Sequence, residues 1–162
     1  MRALEALEAT AFAEWVNTAM LGFPLVIALH SVGMAAIVGV SLIASVHAIR
    51  PIDGLSGSQL IPAMSLAKAG LILNVVTGVM LFVSRGSEYI LNPAFLLKLG
   101  LVLLGSILSL VLFQTRARAG WPVADSDGGA AAFPRPLAIA NILVWFGAVA
   151  TGRLIAYVQN IG

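Results

Sequence analysis

Apolar residues gather in four long runs along this chain, at about 20–49, 61–84, 93–115 and 137–158, and the polar positions fall almost entirely between them. A helix needs about 20 apolar residues to cross a hydrocarbon core roughly 30 Å thick, and each run meets that length. The pattern predicts an all-α integral membrane protein, a four-helix bundle forming a single transmembrane domain over residues 1–162. Residues 1–19 differ. Leu4, Leu7, Ala11 and Trp15 recur at helical spacing while Glu5, Glu8 and Glu14 lie largely off that stripe, which predicts an N-terminal amphipathic helix lying in the interface as an anchor. Docking of a partner subunit is the alternative use for it. With one Arg and three Glu where a basic segment should be, residues 1–19 do not read as a signal peptide.

Punctuation between the runs is clear. Pro51, Asp53-Gly54 and GLSGS end the first span, Pro62 suits the first turn of the second, and that run stops at Arg85-Gly86. Asn92-Pro93 pairs a capping residue with a proline at the first helical position. Residues 116–135 form the longest polar connection. Small residues mark expected helix contacts: Ala35 with Gly39, Ser41 with Ser45, and Gly70, Asn74 and Gly78 on one face. Four spans place both termini on one side, and Arg50, Arg116, Arg118 and Arg135 on the opposite loops put those loops in the cytoplasm, both termini outside.

Composition agrees: 60% of residues are hydrophobic and 10% charged, with a mean hydropathy of +1.01. A net charge of +2, spread along the chain, gives no footprint for nucleic acid. Cysteine is absent, which excludes disulfides and every thiolate-ligated metal site. No phosphate loop, nucleophile-base set or metal-spaced cluster appears.

Every carboxylate lies outside the predicted spans, so an intramembrane acidic proton relay has no residue to carry it. Three donors do lie within them. Lys98 and Arg153 sit about 7–10 Å below the outer surface and His30 about 10–15 Å down, at 1.5 Å per residue. Either cation could snorkel to the headgroups. Alternatively the two meet an anionic ligand, and haem propionates beside an axial histidine suit this depth; a quinone or a lipid phosphate could use the same donors. For His30 the plain alternative is a hydrogen bond between helices. His47 is the only other histidine. It lies 17 residues away, about 25 Å along the axis, so the pair cannot ligate one iron, and it reads as an interfacial residue. For a haem on His30 the sixth position is then Met80, Lys98, open, or filled across a subunit boundary. Gly33, one turn on, would admit a flat ring or another helix. Trp15, Trp121 and Tyr157 read as interfacial anchors, Asn74 and Asn141 as interhelical hydrogen-bonding groups, and Lys68 as a snorkelling cation.

The segments LHSVGMAAIVG, NPAFLLKLGLVLL and TGRLIAYV resemble an uncharacterised family of small bacterial membrane proteins, and that likeness covers most of the chain. More distantly, a first-helix histidine with a lysine near the start of a later helix resembles HemJ-type protoporphyrinogen oxidases and CopD-like copper-resistance membrane proteins. The HemJ-type resemblance implies haem b on His30, with Lys98 important for activity; few Met and no Cys weaken the copper analogy. The expectation is a subunit of the bacterial inner membrane that binds haem b, with quinone contact as an option, and exchanges electrons with a partner. The cofactor contacts would be His30 (as metal ligand), Lys98, Arg153, Met80 and Gly33, in a homo-oligomer or a larger membrane complex. Oxidation of a porphyrin-like substrate is a second expectation, and a haem-free anchor or scaffold a third.

Overall fold

A computed structural model describes residues 2–119 and 135–158. Those residues form six helices: α1 (Arg2–Glu8), α2 (Ala11–Thr18), α3 (Gly22–Ile49), α4 (Gly57–Ile90), α5 (Pro93–Ala119) and α6 (Arg135–Val158). No strand occurs among the described residues, and α3 to α6 are each long and apolar enough to cross a membrane. The chain is a multi-pass, all-α membrane bundle. Trp121, most of the 116–135 connection and the Tyr157 side chain lie outside the described residues.

The N-terminal segment corrects the expectation of one interfacial helix. It is two short helices broken at Thr10, whose hydroxyl donates to Leu7 O at 2.7 Å and accepts from Ala13 N–H at 3.3 Å. That hydroxyl caps α2 and competes with helix continuation. The buried stripe of α2 is Ala13 and Val16, whereas Leu7, Phe12 and Trp15 face outward. The segment is held on α4 by polar contacts: Glu8 accepts from Ser87 N–H at 2.7 Å and Ser87 Oγ at 3.0 Å. Asn17 donates to Ser84 O at 3.0 Å and accepts from Arg85 Nε at 3.1 Å. These bonds from Ser87, the backbone one first, hold the Glu8 carboxyl below the usual carboxylate range.

Both ends of α4 depart from expectation. It starts at Gly57, where Ser56 and Gln59 form a capping box, so Pro62 lies inside the helix rather than at its first position. Nor does it end at Arg85-Gly86. Arg85 takes non-helical angles (φ −150°, ψ 39°) and the helix resumes to Ile90. The broken turn is where Glu8 and Asn17 bind backbone groups, so α1 and α2 satisfy what the kink releases. Asn92 Oδ1 then caps α5 through Ala94 N–H at 2.9 Å. At the other end of the bundle Gly54, with φ +75°, makes the turn between α3 and α4.

The helices pack as two pairs, α3 with α4 and α5 with α6, joined through α3 and α6. Backbone meets backbone in the first pair: a Cβ on Gly33 would lie 2.8 Å from both Asn74 N and Gly70 O. A buried polar network ties the pairs together. Asn141 Nδ2 donates to Ser45 Oγ at 2.9 Å, Trp145 Nε1 to Ser109 Oγ at 3.0 Å, and Ser109 Oγ lies 2.9 Å from Ser41 Oγ and 3.1 Å from Asn141 Oδ1. Trp145 fits because Gly105 offers no side chain; a Cβ there would be 2.8 Å from the indole ring. His47 is corrected too. It is 1% exposed, and its Nδ1 accepts from Ile52 N–H at 3.1 Å, fastening the turn after α3 rather than reaching the interface.

Candidate ligand groove

Where α3 and α6 diverge toward the end carrying α1 and α2, a groove of about 520 Å³ opens on the side of the bundle. Its α3 wall presents Ile27, His30, Ser31, Met34, Ala35 and Val38, spaced three or four apart so that they share one face. Ala148, Val149, Gly152 and Arg153 come from α6 by the same rule, and Lys98 reaches in from the second turn of α5. The volume falls within the range of about 300–1,000 Å³ usual for cofactor pockets.

Three of the five expected contacts are therefore together: His30, Lys98 and Arg153 line one groove. The other two are placed elsewhere. Met80 packs with Val16, Val26, Phe23 and Leu81 beneath α2. Gly33 is covered by the α4 backbone, so the close approach it permits is that of a helix and no flat ring reaches it. Ala35 and Gly39 were expected at a helix contact; instead they face the groove, and nothing lies within 4 Å of where a Gly39 Cβ would be.

Lys98 is half-buried and Arg153 exposed, and neither makes a hydrogen bond or an ion pair among the described residues. Gly152 gives the lysine its room: a Cβ there would touch Lys98 Cε and Nζ at 3.5 Å. His30 is more constrained. Thr77 Oγ1 donates to Leu73 O at 2.6 Å, and therefore accepts the Nδ1–H of His30, 3.1 Å away. That assignment leaves the lone pair on Nε2. Asn74 Nδ2 donates to His30 O at 2.9 Å and stands 3.4 Å from Nε2, the longer and weaker contact. Gly78 leaves space for the ring, whose Cε1 lies 3.4 Å from where its Cβ would be.

Thr77 and Gly152 escaped sequence reading. Thr77 shares a helix face with Gly70 and Asn74, seven and three residues away, and Gly152 precedes an intramembrane arginine; those spacings were the available signals. The groove can hold an amphiphile, with an apolar body between α3 and α6 and an anionic end at two cations, beside an imidazole whose two nitrogens face Thr77 and Asn74 of α4. Among the described residues no group of three or more His, Asp or Glu could hold a metal ion. No protein-family model, curated protein or solved structure matches the chain.

Proposed function

We propose that the protein is a membrane-embedded electron-transfer subunit that holds a b-type haem in this groove. The observation that carries the reading is Lys98, a half-buried ammonium within a span that has no partner among the described residues and opens on a groove shared with Arg153 and His30. A cation in that setting is costly without an anion, and two carboxylates on an apolar ring are the anions that fit. When bound, the haem supplies one-electron chemistry at an iron. The residues hold and orient it. His30 would offer Nε2, with Thr77 holding the ring through Nδ1–H, and Lys98 with Arg153 would neutralise the propionates. Nε2 faces Asn74 of α4, so the imidazole would exchange that contact for the haem while Asn74 keeps its shorter bond to His30 O. Met80 does not line the groove, so it would not be among the residues that hold the haem. The resemblance to HemJ-type proteins at His30 and Lys98 supports the same reading.

The positive-inside bias supports placing the α3–α4 connection in the cytoplasm, with the groove in the outer half of a bacterial inner membrane. The test is an absorption spectrum of protein purified after expression with ample haem. A Soret band is expected, absent in His30→Ala, with affinity falling about tenfold or more in Lys98→Gln, as loss of a charge-assisted bond implies. No band, or one that survives His30→Ala, overturns the reading.

One observation favours a second reading, a haem-free scaffold: both ring nitrogens of His30 lie within hydrogen-bonding reach of α4. His30 would then be a packing residue. In that case no Soret band forms, and His30→Ala and Thr77→Val weaken thermal stability to the same extent.

A further inference from the structure

A second opening lies on the far side of the molecule from the groove, between α4 and α5. These helices are consecutive and joined by only Leu91 and Asn92, yet they touch little along their length. Near the joint they are clamped by aromatic rings, Phe82 on Phe95 at 6.0 Å and Tyr89 on Phe95 at 5.4 Å. Farther from the joint, between Met64–Leu71 and Ser106–Phe113, a half-open gap of about 210 Å³ separates them. Its walls are apolar and its floor is Ser41 and Ser109, whose hydroxyls are already bonded to each other. Lys68 lines the same gap, exposed, and makes no hydrogen bond or ion pair among the described residues.

We infer that this gap is a binding site for an anionic phospholipid, one acyl chain wedged between α4 and α5 and the phosphate held by the Lys68 ammonium. The argument rests on the coincidence of two features. A gap whose mouth is bounded by exposed Ile107 and Leu110 is reached only through the hydrocarbon, so its occupant carries an acyl chain. A flexible cation at its rim, with no acidic side chain bonded to it among the described residues, selects among chains by their headgroup. Zwitterionic lipid satisfies the first requirement alone.

The experiment is native mass spectrometry of the full chain released from micelles containing equal phosphatidylglycerol and phosphatidylcholine. About fivefold enrichment of phosphatidylglycerol is expected, the preference one cation near the surface confers. Lys68→Gln, at an exposed position, removes the enrichment, while Arg50→Gln, also exposed but outside the gap, leaves it intact. Filling the gap with Ser106→Leu lowers retention of both lipids; Ile107→Trp, on the exposed rim, does the same should the first variant fail to fold. Equal retention of the two lipids overturns the site, as does enrichment that survives Lys68→Gln. Retention unaffected by a folded filling variant, or a quinone held there in preference to phospholipid, overturns it equally.

Discussion

Thr77 decides which nitrogen of His30 carries its proton. Because the threonine hydroxyl is spent on Leu73 O, it can only accept, and the imidazole must present Nδ1–H. Thr77→Val removes that acceptor while keeping the shape. Nitrogen NMR of histidine-labelled protein, with no ligand added, is expected to show a single Nδ1–H tautomer in the parent and a mixture in the variant. This outcome is independent of haem. Gly152 makes a second prediction at the same scale: Gly152→Leu drives a branched side chain into the space of the Lys98 terminus. Ligand affinity is expected to fall about tenfold or more, as in Lys98→Gln, with the bundle intact. Glu8 makes a third. Its folded-state pKa is depressed below the ordinary 4.5, so its contribution to docking α1 on α4 is complete above 4.5 and is lost as pH falls through the folded value. The protection factor of Ser87 N–H, its exchange measured against the intrinsic rate at each pH, should fall in that acidic window, and Glu8→Gln should make the protection factor insensitive to pH there. None of these three roles was legible in a single sequence. A threonine in a membrane helix bonds its own backbone as a rule, and only the neighbouring helix shows that it also receives a histidine.

Among the helices, the α3–α4 pair depends on two glycines placed where the axes cross. A Cβ on Gly33 meets backbone atoms at 2.8 Å, and one on Gly70 meets Ala36 Cβ at 2.7 Å, so neither conflict is relieved by turning a side chain. Gly33→Leu should separate the pair and disrupt the His30 contacts with Asn74 and Thr77, lowering the thermal midpoint sharply. Gly39→Leu, where a Cβ meets nothing, should leave that midpoint nearly unchanged. Helix starts were readable from local chemistry where a cap and a proline adjoin, as at Asn92-Pro93, because the bonds involved are made within four residues. Arg85-Gly86 misled for the opposite reason. A chain that breaks its ladder looks the same whether the helix ends or merely kinks, and what lets α4 resume is Glu8, 79 residues away in sequence. The division at Thr10 is local, but a threonine among amphipathic residues signals a helix end only once its hydroxyl is seen to turn back on Leu7.

In the whole molecule, two helix pairs are joined by a few buried hydroxyl and amide groups. Asn141 bonds both Ser45 and Ser109 from the second turn of α6, and such bonds in membranes average about 0.6 kcal/mol each. Asn141→Leu should cost about 1–3 kcal/mol, since it also leaves buried hydroxyls with fewer partners; reversible unfolding in mixed micelles measures it. The number of spans, and the depth shared by His30, Lys98 and Arg153, followed from hydropathy and rise per residue. Which helices adjoin did not, because lipid tails and core side chains are equally apolar and one apolar face reads like another. That is why Met80 could be paired with His30 on depth alone and still be packed beneath α2. The absence of cysteine gives this molecule a practical use in settling its sidedness. A single cysteine placed at Ser58 or at Arg2 is the only thiol for an impermeant maleimide, and with the orientation proposed above only the Arg2→Cys protein is labelled in intact cells.

The burial of Trp145 carries an optical consequence. Its indole is 0% exposed, stacked over Gly105 and bonded to Ser109, whereas Trp15 is 45% exposed on the outer face of α2. Brominated acyl chains should therefore quench Trp15 and spare Trp145, so that in a Trp121→Phe background the emission surviving in such bilayers reports on the seam between the two helix pairs. A chain whose pairs come apart would lose that protected light before it lost its helices.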